Sequence, residues 1–403
     1  MKTKTLLILI AGTALLLAAA YAITRPRSTL GTSANESKPP VFPTLTACAN
    51  DITDIVFTRP EMTFTIRKDP SDAGTWRVVE KANHPAQSEA VRTFIIALSQ
   101  LREAERKTSR AELYSKLGVE DPVAPKAVTP DTPMPQSTLI TLKDAKGETI
   151  AAAVLGNPKW GATPGLYLRR IGDPTVLLAE GRVDVQRDPI KWTEDQFANI
   201  AAGRIQSITI TPSATTTTAD PIVISRRAQS DKLAVQNIPA GRVLKEPSLP
   251  ESLGAMLATL PFQDVAPADT VDFASSASPT TPTPPAASVE LRTFDGLIVN
   301  IQTVQRDGRT WWKLAASVDE SIPARVTPPP DQQTLATPAA TTLEALKKEA
   351  AELNARWSLY AYAPVDWKTQ PLSHAMNDLL RDAPASTTAP TAAPSPSPAP
   401  AHP

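Results

Sequence analysis

The sequence predicts an α+β fold built from two tandem, diverged repeats behind one N-terminal transmembrane helix. Short runs of alternating apolar and polar residues, typical of half-buried strands, recur between residues 50 and 381. Each half of that region also contains a helix with its apolar residues on one face. Strands, helix and Pro-rich spacer follow in the same order twice. We therefore expect each repeat to be a mostly antiparallel sheet with a packed amphipathic helix.

The N-terminal residues predict a membrane anchor. Residues 1–4 carry two lysines, and Thr5–Ile23 then runs for 19 residues without a charge. A helix of that length is about 28 Å long, close to the ~30 Å hydrocarbon core of a bilayer. Two interpretations stay open: an uncleaved signal anchor, which the length favours, and a signal peptide cleaved after Ala20-Tyr21-Ala22. We expect residues 1–4 to be cytoplasmic and the bulk of the chain to be extracytoplasmic, periplasmic if the cell is Gram-negative.

Residues 24–49 predict a juxtamembrane linker, because they are polar, contain several prolines and lack periodicity. Cys48 ends the tetrapeptide Leu45-Thr46-Ala47-Cys48, which is similar to a lipobox. A lipidated cysteine follows the apolar part of a signal directly, whereas a stretch of 25 residues, Ile23–Ala47, intervenes here. We expect an ordinary free cysteine.

The first repeat spans residues 50–192. Its helix is predicted to begin at Ser88, and a shorter helical turn, Glu112–Leu117, is predicted to stop at Gly118. Residues 193–202 predict a connecting helix, since Thr193-x-x-Gln196 has the pattern of a capping box. The apolar face of the main helix is predicted to consist of Val91, Phe94, Ile95, Leu98 and Leu101. The predicted strands are 52–57, 62–66, 75–79, 137–143, 149–155, 166–171 and 175–179.

The second repeat spans residues 203–381, with Pro/Thr-rich spacers at 266–287 and 323–338. Ser248 is predicted to cap its main helix, and Asp295-Gly296 predicts a tight hairpin. A further helix is predicted after Thr341, with apolar residues close to a heptad spacing; it either packs on its own domain, which we favour, or binds a partner. Its apolar residues are Leu343, Leu346, Ala350, Leu353 and Trp357. Residues 382–403 are Ala, Pro, Ser and Thr-rich and predict a disordered tail.

Composition argues against several classes of function. With 41 basic and 41 acidic residues the chain has no net charge to attract nucleic acid. One cysteine excludes a disulfide framework within the chain and a multi-cysteine metal site. The three histidines are scattered, and the phosphate-loop and nucleophile-elbow patterns are absent from the sequence. We expect no cofactor, no metal and no catalytic residues.

Two residual sources of chemistry deserve a structural test. Glu120-Asp121 and Glu194-Asp195 are the acid pairs that a glycoside hydrolase would need, although acids beside turns commonly serve a helix N-terminus. The seven tryptophans are the material of a sugar-stacking platform or of a core. Trp311 and Trp312 are consecutive in a strand, so their rings point to opposite faces. We expect one of them to be exposed and take both as candidate interaction residues.

Several segments in order resemble a known family. They are Gly74-Thr75-Trp76-Arg77-Val78, His84-Pro85-Ala86-Gln87, the stretch Leu113–Pro122 (LYSKLGVEDP), Leu155-Gly156-Asn157, Leu166-Tyr167-Leu168-Arg169 and Arg187-Asp188. In this layout the chain resembles the bacterial domain of unknown function 4340 family over most of residues 50–380. The resemblance implies a membrane-anchored envelope protein, often encoded beside an ABC-type permease and a gliding-type auxiliary transport protein. It implies no catalytic residues.

Together these observations predict a non-catalytic envelope protein that acts as an accessory or scaffold of an ABC-type transport complex. Its expected partners are the bilayer, through residues 5–23, and an ABC-type permease with auxiliary envelope proteins. A cell-wall or carbohydrate binder is the first alternative, and an acid-pair hydrolase is the second.

Overall fold

The computed structural model describes residues 38–72, 74–123, 137–194, 198–212, 220–258, 261–273, 287–322, 326–327, 339–366 and 370–383. The chain forms two compact units. The first comprises the residues up to Thr63 together with Arg92–Val185, and the second comprises Phe64–Val91 and the residues from Gln186 onward. Antiparallel sheets with a few helices dominate both units, which confirms the α+β class.

Six α-helices and 21 strands lie within the described residues. The helices are α1 (Leu45–Cys48), α2 (Ser88–Gln100), α3 (Tyr114–Leu117), α4 (Leu249–Gly254), α5 (Leu343–Trp357) and α6 (Met376–Leu379). The strands are β1 (Ile52–Thr58), β2 (Thr63–Lys68), β3 (Trp76–Val78), β4 (His84–Pro85), β5 (Arg102–Thr108), β6 (Thr138–Asp144), β7 (Thr149–Lys159), β8 (Gly165–Arg170), β9 (Val176–Glu180), β10 (Ile205–Pro212), β11 (Ile222–Ser225), β12 (Ala234–Val235), β13 (Arg242–Leu244), β14 (Phe262–Pro267), β15 (Ala287–Thr293), β16 (Leu297–Arg306), β17 (Arg309–Val318), β18 (Val326–Thr327), β19 (Ala339–Ala340), β20 (Tyr360–Pro364) and β21 (Leu380–Asp382).

In the first unit six strands lie side by side in the order β1-β6-β7-β8-β9-β5, and all neighbours are antiparallel. The predicted alternation is confirmed in β1, where Ile52, Ile55 and Phe57 are buried. Phe94 of α2 packs on this layer, with its ring centroid 5.3 Å from that of Phe57. Burial of these aliphatic and aromatic side chains, at about 25 cal/mol per Å² of apolar surface, provides the main drive for folding.

Helix α2 confirms the predicted amphipathic pattern. All five residues of its predicted apolar face are buried. The sequence does not predict the following strand, β5, because its residues, REAERKT, have no apolar alternation: five of the seven are charged. Charges of this kind are common on edge strands, where they discourage pairing with another chain. Tertiary pairing with β9 therefore makes a strand from a sequence without a strand pattern.

The N-terminal boundary of the first unit lies earlier than the sequence predicts. The linker was expected to reach residue 49, but Val41, Phe42 and Leu45 are buried. The Val41 amide donates to the carbonyl of Leu101 at 3.0 Å, so this segment lies beside the start of β5. The free thiol of Cys48 is half-buried at the end of α1.

In the second unit eight strands lie in the order β12-β11-β10-β15-β16-β17-β20-β14. The predicted hairpin is confirmed, with Gly296 at φ 97° between β15 and β16. The carboxylate of Asp295, in that turn, is fully buried and accepts a hydrogen bond from Arg204 at 2.9 Å. Arg204 also binds Glu349 of α5 at 2.7 Å, so the helix is fastened to the sheet by a paired charge. Residues 64–91, in the same unit, carry β2, β3 and β4, which pair in succession.

Helix α5 packs on its own unit, as favoured from the sequence. Four of its five predicted apolar residues are buried: Leu346, Ala350, Leu353 and Trp357. Asn354 of this helix covers the edge of β17 at Ala316, beyond the point where β20 pairs with that strand. Its side-chain amide binds both backbone groups of Ala316. The Ala316 N–H donates to Asn354 Oδ1 at 2.7 Å, and Asn354 Nδ2 donates to the Ala316 carbonyl at 2.8 Å.

Other boundaries differ from the predictions. Thr193 does not open a connecting helix: its hydroxyl donates backward to Ile190 at 2.6 Å and closes a 3-10 turn, Pro189–Trp192. Residues 195–197 lie outside the described residues. The spacer predicted from residue 266 begins later, since β14 runs to Pro267. The spacer at 323–338 contains β18, which pairs with β19 directly after it. Helix α4 ends at Gly254, earlier than its apolar pattern suggests, although Leu253, Met256 and Leu257 are buried.

The residues of the predicted membrane anchor lie outside the described part of the chain, as does the tail from residue 384. Among the residues that the structure describes, no helix has both the length and the apolar character needed to cross a bilayer.

Candidate functional site

Three of the sequence segments that carry the family resemblance meet in the first unit. The guanidinium of Arg169, on β8, lies 4.9 Å from the ring centroid of Tyr114 on α3. Its Nε donates to the carbonyl of Val119 at 3.2 Å, and its Nη2 pairs with the carboxylate of Asp121. We call Tyr114, Val119, Asp121 and Arg169 the Arg169 cluster. The contacts of Arg169 hold the segment after α3 against β8.

Two glycines allow this close approach. Gly118 ends α3 at φ 67°, a conformation that glycine adopts without strain. A Cβ at Gly156 would lie 2.4 Å from the carbonyl oxygen of Leu117, so α3 and β7 can touch only where this residue has no side chain. Asn157, the next residue, donates to the carbonyl of Lys116 at 3.3 Å. These segments are therefore explained by packing.

The His84-Pro85-Ala86-Gln87 segment lies in the second unit and has a similar role. Ala86 pairs with Thr193 in an isolated bridge. The Gln87 amide N–H donates to the carbonyl of Trp192 at 2.8 Å, and Gln87 Nε2 donates to that of Thr193 at 2.9 Å. The segment is thus tied to the residues that follow Arg187-Asp188, where Asp188 caps the 3-10 turn by accepting from Ile190 N at 3.0 Å.

His84 is enclosed by aromatic rings. Its ring centroid lies 4.8 Å from that of Tyr360, 5.4 Å from Phe262 and 5.9 Å from Tyr362. We call these four residues the His84 cluster. Nδ1 of the imidazole is 3.1 Å from the carbonyl of Pro85, which places the proton on Nδ1. Burial lowers the pKa of His84 to about 4 against the opposing effect of the Pro85 hydrogen bond, and the positive charge of Arg77 adds to the lowering.

The charged groups around this histidine are themselves paired. Arg77 forms an ion pair with Asp69, and its Nη1 donates to the carbonyl of Asn83 at 3.1 Å. Hydrogen bonds from Ser71 hold the pKa of Asp69 well below its usual range, with Arg77 adding to the effect. The Tyr360 hydroxyl donates to the same Asn83 carbonyl at 3.3 Å. At neutral pH His84 is uncharged and packed, which is typical of a core histidine.

The structure places the members of the two predicted acid pairs in different surroundings. Asp121 belongs to the Arg169 cluster. The backbone N–H of Glu194 donates to the carbonyl of Pro85 at 2.8 Å, and its side chain is exposed. Asp195 lies outside the described residues. Among the described residues, no group of three or more His, Cys, Asp and Glu side chains could hold a metal ion.

The expectation of an exposed ring in the Trp311-Trp312 pair is wrong. The two rings do lie on opposite faces of β17, but both faces are covered: Trp311 is 9% exposed and Trp312 is fully buried. Trp312 belongs to the core beneath α5, and Trp311 packs with Val304 while Val271 and Phe273 cover it. Of the six tryptophans within the described residues, only Trp160 is exposed, at 73%. Trp367 lies outside that part of the chain.

A polar cavity of about 210 Å³ lies in the first unit, where β7, β8 and β9 end or begin. Lys38 and Lys159 contribute ammonium groups, Thr163 a hydroxyl and Glu180 a carboxylate that pairs with Lys38. Gly165 forms part of the wall, and a Cβ there would lie 2.5 Å from the carbonyl oxygen of Ala179. Trp160 lies in the same β7–β8 hairpin loop as Thr163. Sequence reasoning missed this cavity, because its residues come from four separate segments of the chain.

The Arg169 cluster can be tested by two matched substitutions. We expect Arg169→Ala to lower the free energy of unfolding of the first unit by about 1–3 kcal/mol, since it removes a partly buried hydrogen-bonding cation and its contact with a ring. We expect Asp121→Asn to cost less than about 0.5 kcal/mol, because Asp121 is largely exposed. Urea unfolding of both variants measures the difference. Equal losses of unfolding free energy in the two variants would contradict the conclusion that the buried contacts of Arg169, and not its ion pair with the exposed Asp121, stabilise the unit.

His84 predicts a pH dependence of stability. The unfolded imidazole takes up a proton below its ordinary pKa of about 6.5, whereas the folded one does so only near 4. Between these values the unfolded state binds more protons, so stability falls as the pH falls. From pH 7 to pH 5 we expect this group to contribute a loss of about 2 kcal/mol.

The measurement is urea unfolding at both pH values for the parent chain and for His84→Phe, which keeps an aromatic ring but cannot be protonated. The pH-dependent loss is expected to shrink by the contribution of His84 in the variant. An unchanged pH dependence would show that His84 is not the titrating group.

Comparison with curated proteins gives no match, and neither does comparison with solved structures. A family model with the description Domain of unknown function (DUF4340) matches residues 76–282, which is 207 of the 403 residues. The match begins at β3, includes both the His84 segment and the Arg169 cluster, and extends past β14. The chain belongs to the DUF4340 family.

Proposed function

We propose that this protein is a non-catalytic, membrane-tethered extracytoplasmic protein that serves as an accessory or scaffold of an ABC-type envelope transport complex. The observation that carries the proposal is that the sequence segments which carry the family resemblance serve packing. The Arg169 cluster and the His84–Gln87 segment consist of contacts between backbone carbonyls, glycines and paired charges. We therefore place the function on the surface that the two units present, since a fold alone does not specify an activity.

The burial and pairing of the potential catalytic residues support the same proposal. A general base needs an accessible group with a pKa near the working pH. His84 is enclosed by three rings and has its pKa lowered to about 4 by burial. Asp121 is held by Arg169. Glu120, the other member of that acid pair, has one carboxylate oxygen buried without a hydrogen-bond partner among the described residues, and in the second pair the side chain of Glu194 is exposed.

The tether is proposed from the sequence. Thr5–Ile23 is 19 uncharged residues flanked by Lys2 and Lys4 on one side and by Arg25 and Arg27 on the other. A single span of this length would place the two units outside the cytoplasm. The transport partner is proposed from the family, whose members are often encoded beside an ABC-type permease and a gliding-type auxiliary protein.

We also propose that the two halves of the chain are diverged copies of one unit, at about residues 50–192 and 203–381. The strand orders support this. In the first unit the order is β1-β6-β7-β8-β9-β5, and the corresponding strands of the second lie in the order β10-β15-β16-β17-β20-β14. In the first unit β5, which follows helix α2, lies at the edge beside β9. In the second unit β14, which follows helix α4, lies at the edge beside β20. Helix α5 is an insertion in the second copy, between β17 and β20.

A carbohydrate binder is the alternative with an observation in its favour. Trp160 exposes an indole, and aromatic rings of this kind stack on sugars. The neighbouring cavity offers hydroxyl, ammonium and carboxylate groups for sugar hydroxyls. The alternative no longer involves Trp311 or Trp312, because both are buried.

The scaffold proposal predicts a stable complex in the membrane. The full-length chain, solubilised in mild detergent after brief cross-linking in cells, is expected to co-purify with an ABC-type permease identified by mass spectrometry. A second chain without residues 5–23 serves as the control and is expected to lose the permease. Recovery of the full-length chain from membranes without any permease would overturn the proposal.

The carbohydrate alternative predicts a loss of glycan binding on substitution of one exposed residue. If it holds, Trp160→Ala is expected to weaken binding to peptidoglycan fragments by about 10- to 100-fold, since covering a large apolar side chain contributes about 1.5–3 kcal/mol. Trp311→Phe, which changes a buried ring, is the matched control and is expected to leave binding unchanged. Absence of binding by the parent chain would remove this alternative.

A further inference from the structure

The entry of the chain into the first unit and one exposed hairpin lie at the same end of the sheet. Lys38, the first described residue, pairs with Glu180, the last residue of β9. Glu180 lies opposite Gly165, the first residue of β8, and Gly165 lies opposite Lys159, the last residue of β7. The cavity described above is enclosed by these residues. The segment that leads from the proposed anchor therefore arrives beside the β7–β8 hairpin.

That hairpin presents side chains that prefer a membrane surface. Its loop is Trp160-Gly161-Ala162-Thr163-Pro164, all of it exposed, and Trp160 is 73% exposed. An indole combines a large apolar ring with an N–H donor, and it is enriched where lipid tails meet headgroups. Lys159, next to it, has an apolar stem and an ammonium that reaches phosphate oxygens. The loop has no carboxylate of its own.

The other end of the same strand has different chemistry. The β6–β7 turn contains Lys146 and Gly147, with Gly147 at φ 83°. Its side chains are exposed and polar, and it has no aromatic residue. Because β7 has 11 residues, this turn lies roughly 35 Å from the β7–β8 hairpin. The exposed indole and the entry of the chain therefore share one end of the unit, and the opposite end lacks both.

We propose that the β7–β8 hairpin rests on the membrane and that the adjacent cavity takes the headgroup of an anionic phospholipid. This inference rests on the proposed tether. Fourteen residues separate Ile23 from Lys38, and a chain of that length spans at most about 50 Å, so the hairpin is within reach of the bilayer. Lys159 and Thr163 supply donors for a phosphate, and Lys38, whose ammonium also neutralises Glu180, supplies a further one. A cavity of about 210 Å³ suits a headgroup and is smaller than the ~300–1,000 Å³ of pockets for larger ligands.

The contact can be measured on the full-length chain in lipid nanodiscs. Cys48→Ser removes the only cysteine, and one new cysteine is then introduced for a fluorophore, either Ala162→Cys in the hairpin or Lys146→Cys in the opposite turn. Nanodiscs contain either phosphatidylcholine alone or a mixture with phosphatidylglycerol, each with a lipid that carries a quencher in its headgroup. We expect at least about threefold stronger quenching at position 162 than at position 146 in the anionic discs, because one lies at the surface and the other ~35 Å away.

Two substitutions then test the chemistry. In the 162-labelled chain, Lys159→Ala is expected to lower the fraction in contact with anionic discs about fivefold, since each lysine near an anionic surface adds about that factor. Trp160→Ala is expected to reduce quenching in both kinds of disc. Lys143→Ala, on β6 at the other end of the sheet, is the matched control and is expected to change neither.

The outcomes separate the inference from the tether. A chain that fails to elute with the discs contradicts the tether and, with it, this contact. A chain that elutes with the discs but shows equal quenching at both positions contradicts the contact alone. Equal quenching at position 162 in neutral and anionic discs contradicts the anionic headgroup, and so does a response of the label to peptidoglycan fragments in place of lipid.

Discussion

Removal of aliphatic and aromatic side chains from water against the face of an antiparallel sheet drives the folding of each unit, and the polar contacts are arranged around that burial. In the second unit Trp312, Trp357 and Tyr362 are all fully buried. Their enclosure leaves backbone and charged groups that must be satisfied without water. Asn354 does this for Ala316, and the pairing of Arg204 with Asp295 and Glu349 does it at the hairpin. Each polar contact is thus a condition for the burial beside it.

The parts of the fold that the sequence predicts are those where local pattern and tertiary environment agree. Helix α2, the glycine stop after α3 and the Asp295-Gly296 hairpin are of this kind, since periodicity or turn chemistry determines them. Strand β5 could not be predicted, because pairing with β9, and not an alternating pattern in its own sequence, makes it a strand. Thr193 has the sequence pattern of a helix start, but its hydroxyl donates to the carbonyl of Ile190 in the preceding turn and therefore does not cap a helix.

The candidate site was the least predictable feature, again for physical reasons. Alternation correctly placed Trp311 and Trp312 on opposite faces, but it carries no information on what covers each face. Val271 and Phe273, after β14, cover the second face. The cavity beside Trp160 is formed by side chains from residues 38, 159 and 180, so it exists only once the sheet is assembled. Membership of the DUF4340 family is recognised from segments whose role is packing, and for that reason it indicates the fold more directly than the activity.

The two units are interleaved along the chain, with residues 64–91 of the second placed between the two segments of the first. The hydrogen bond between Tyr360 and Asn83 joins residues 277 positions apart. At the ~5–20 residues per second of ribosomal synthesis, roughly 15 to 55 s pass between the two. During that interval Tyr360 and Tyr362, two of the three aromatic partners of His84, are not yet synthesised, so residues 64–91 need to remain available for them. A secretion route that delivers the chain unfolded, or a chaperone that holds residues 64–91, would meet this need.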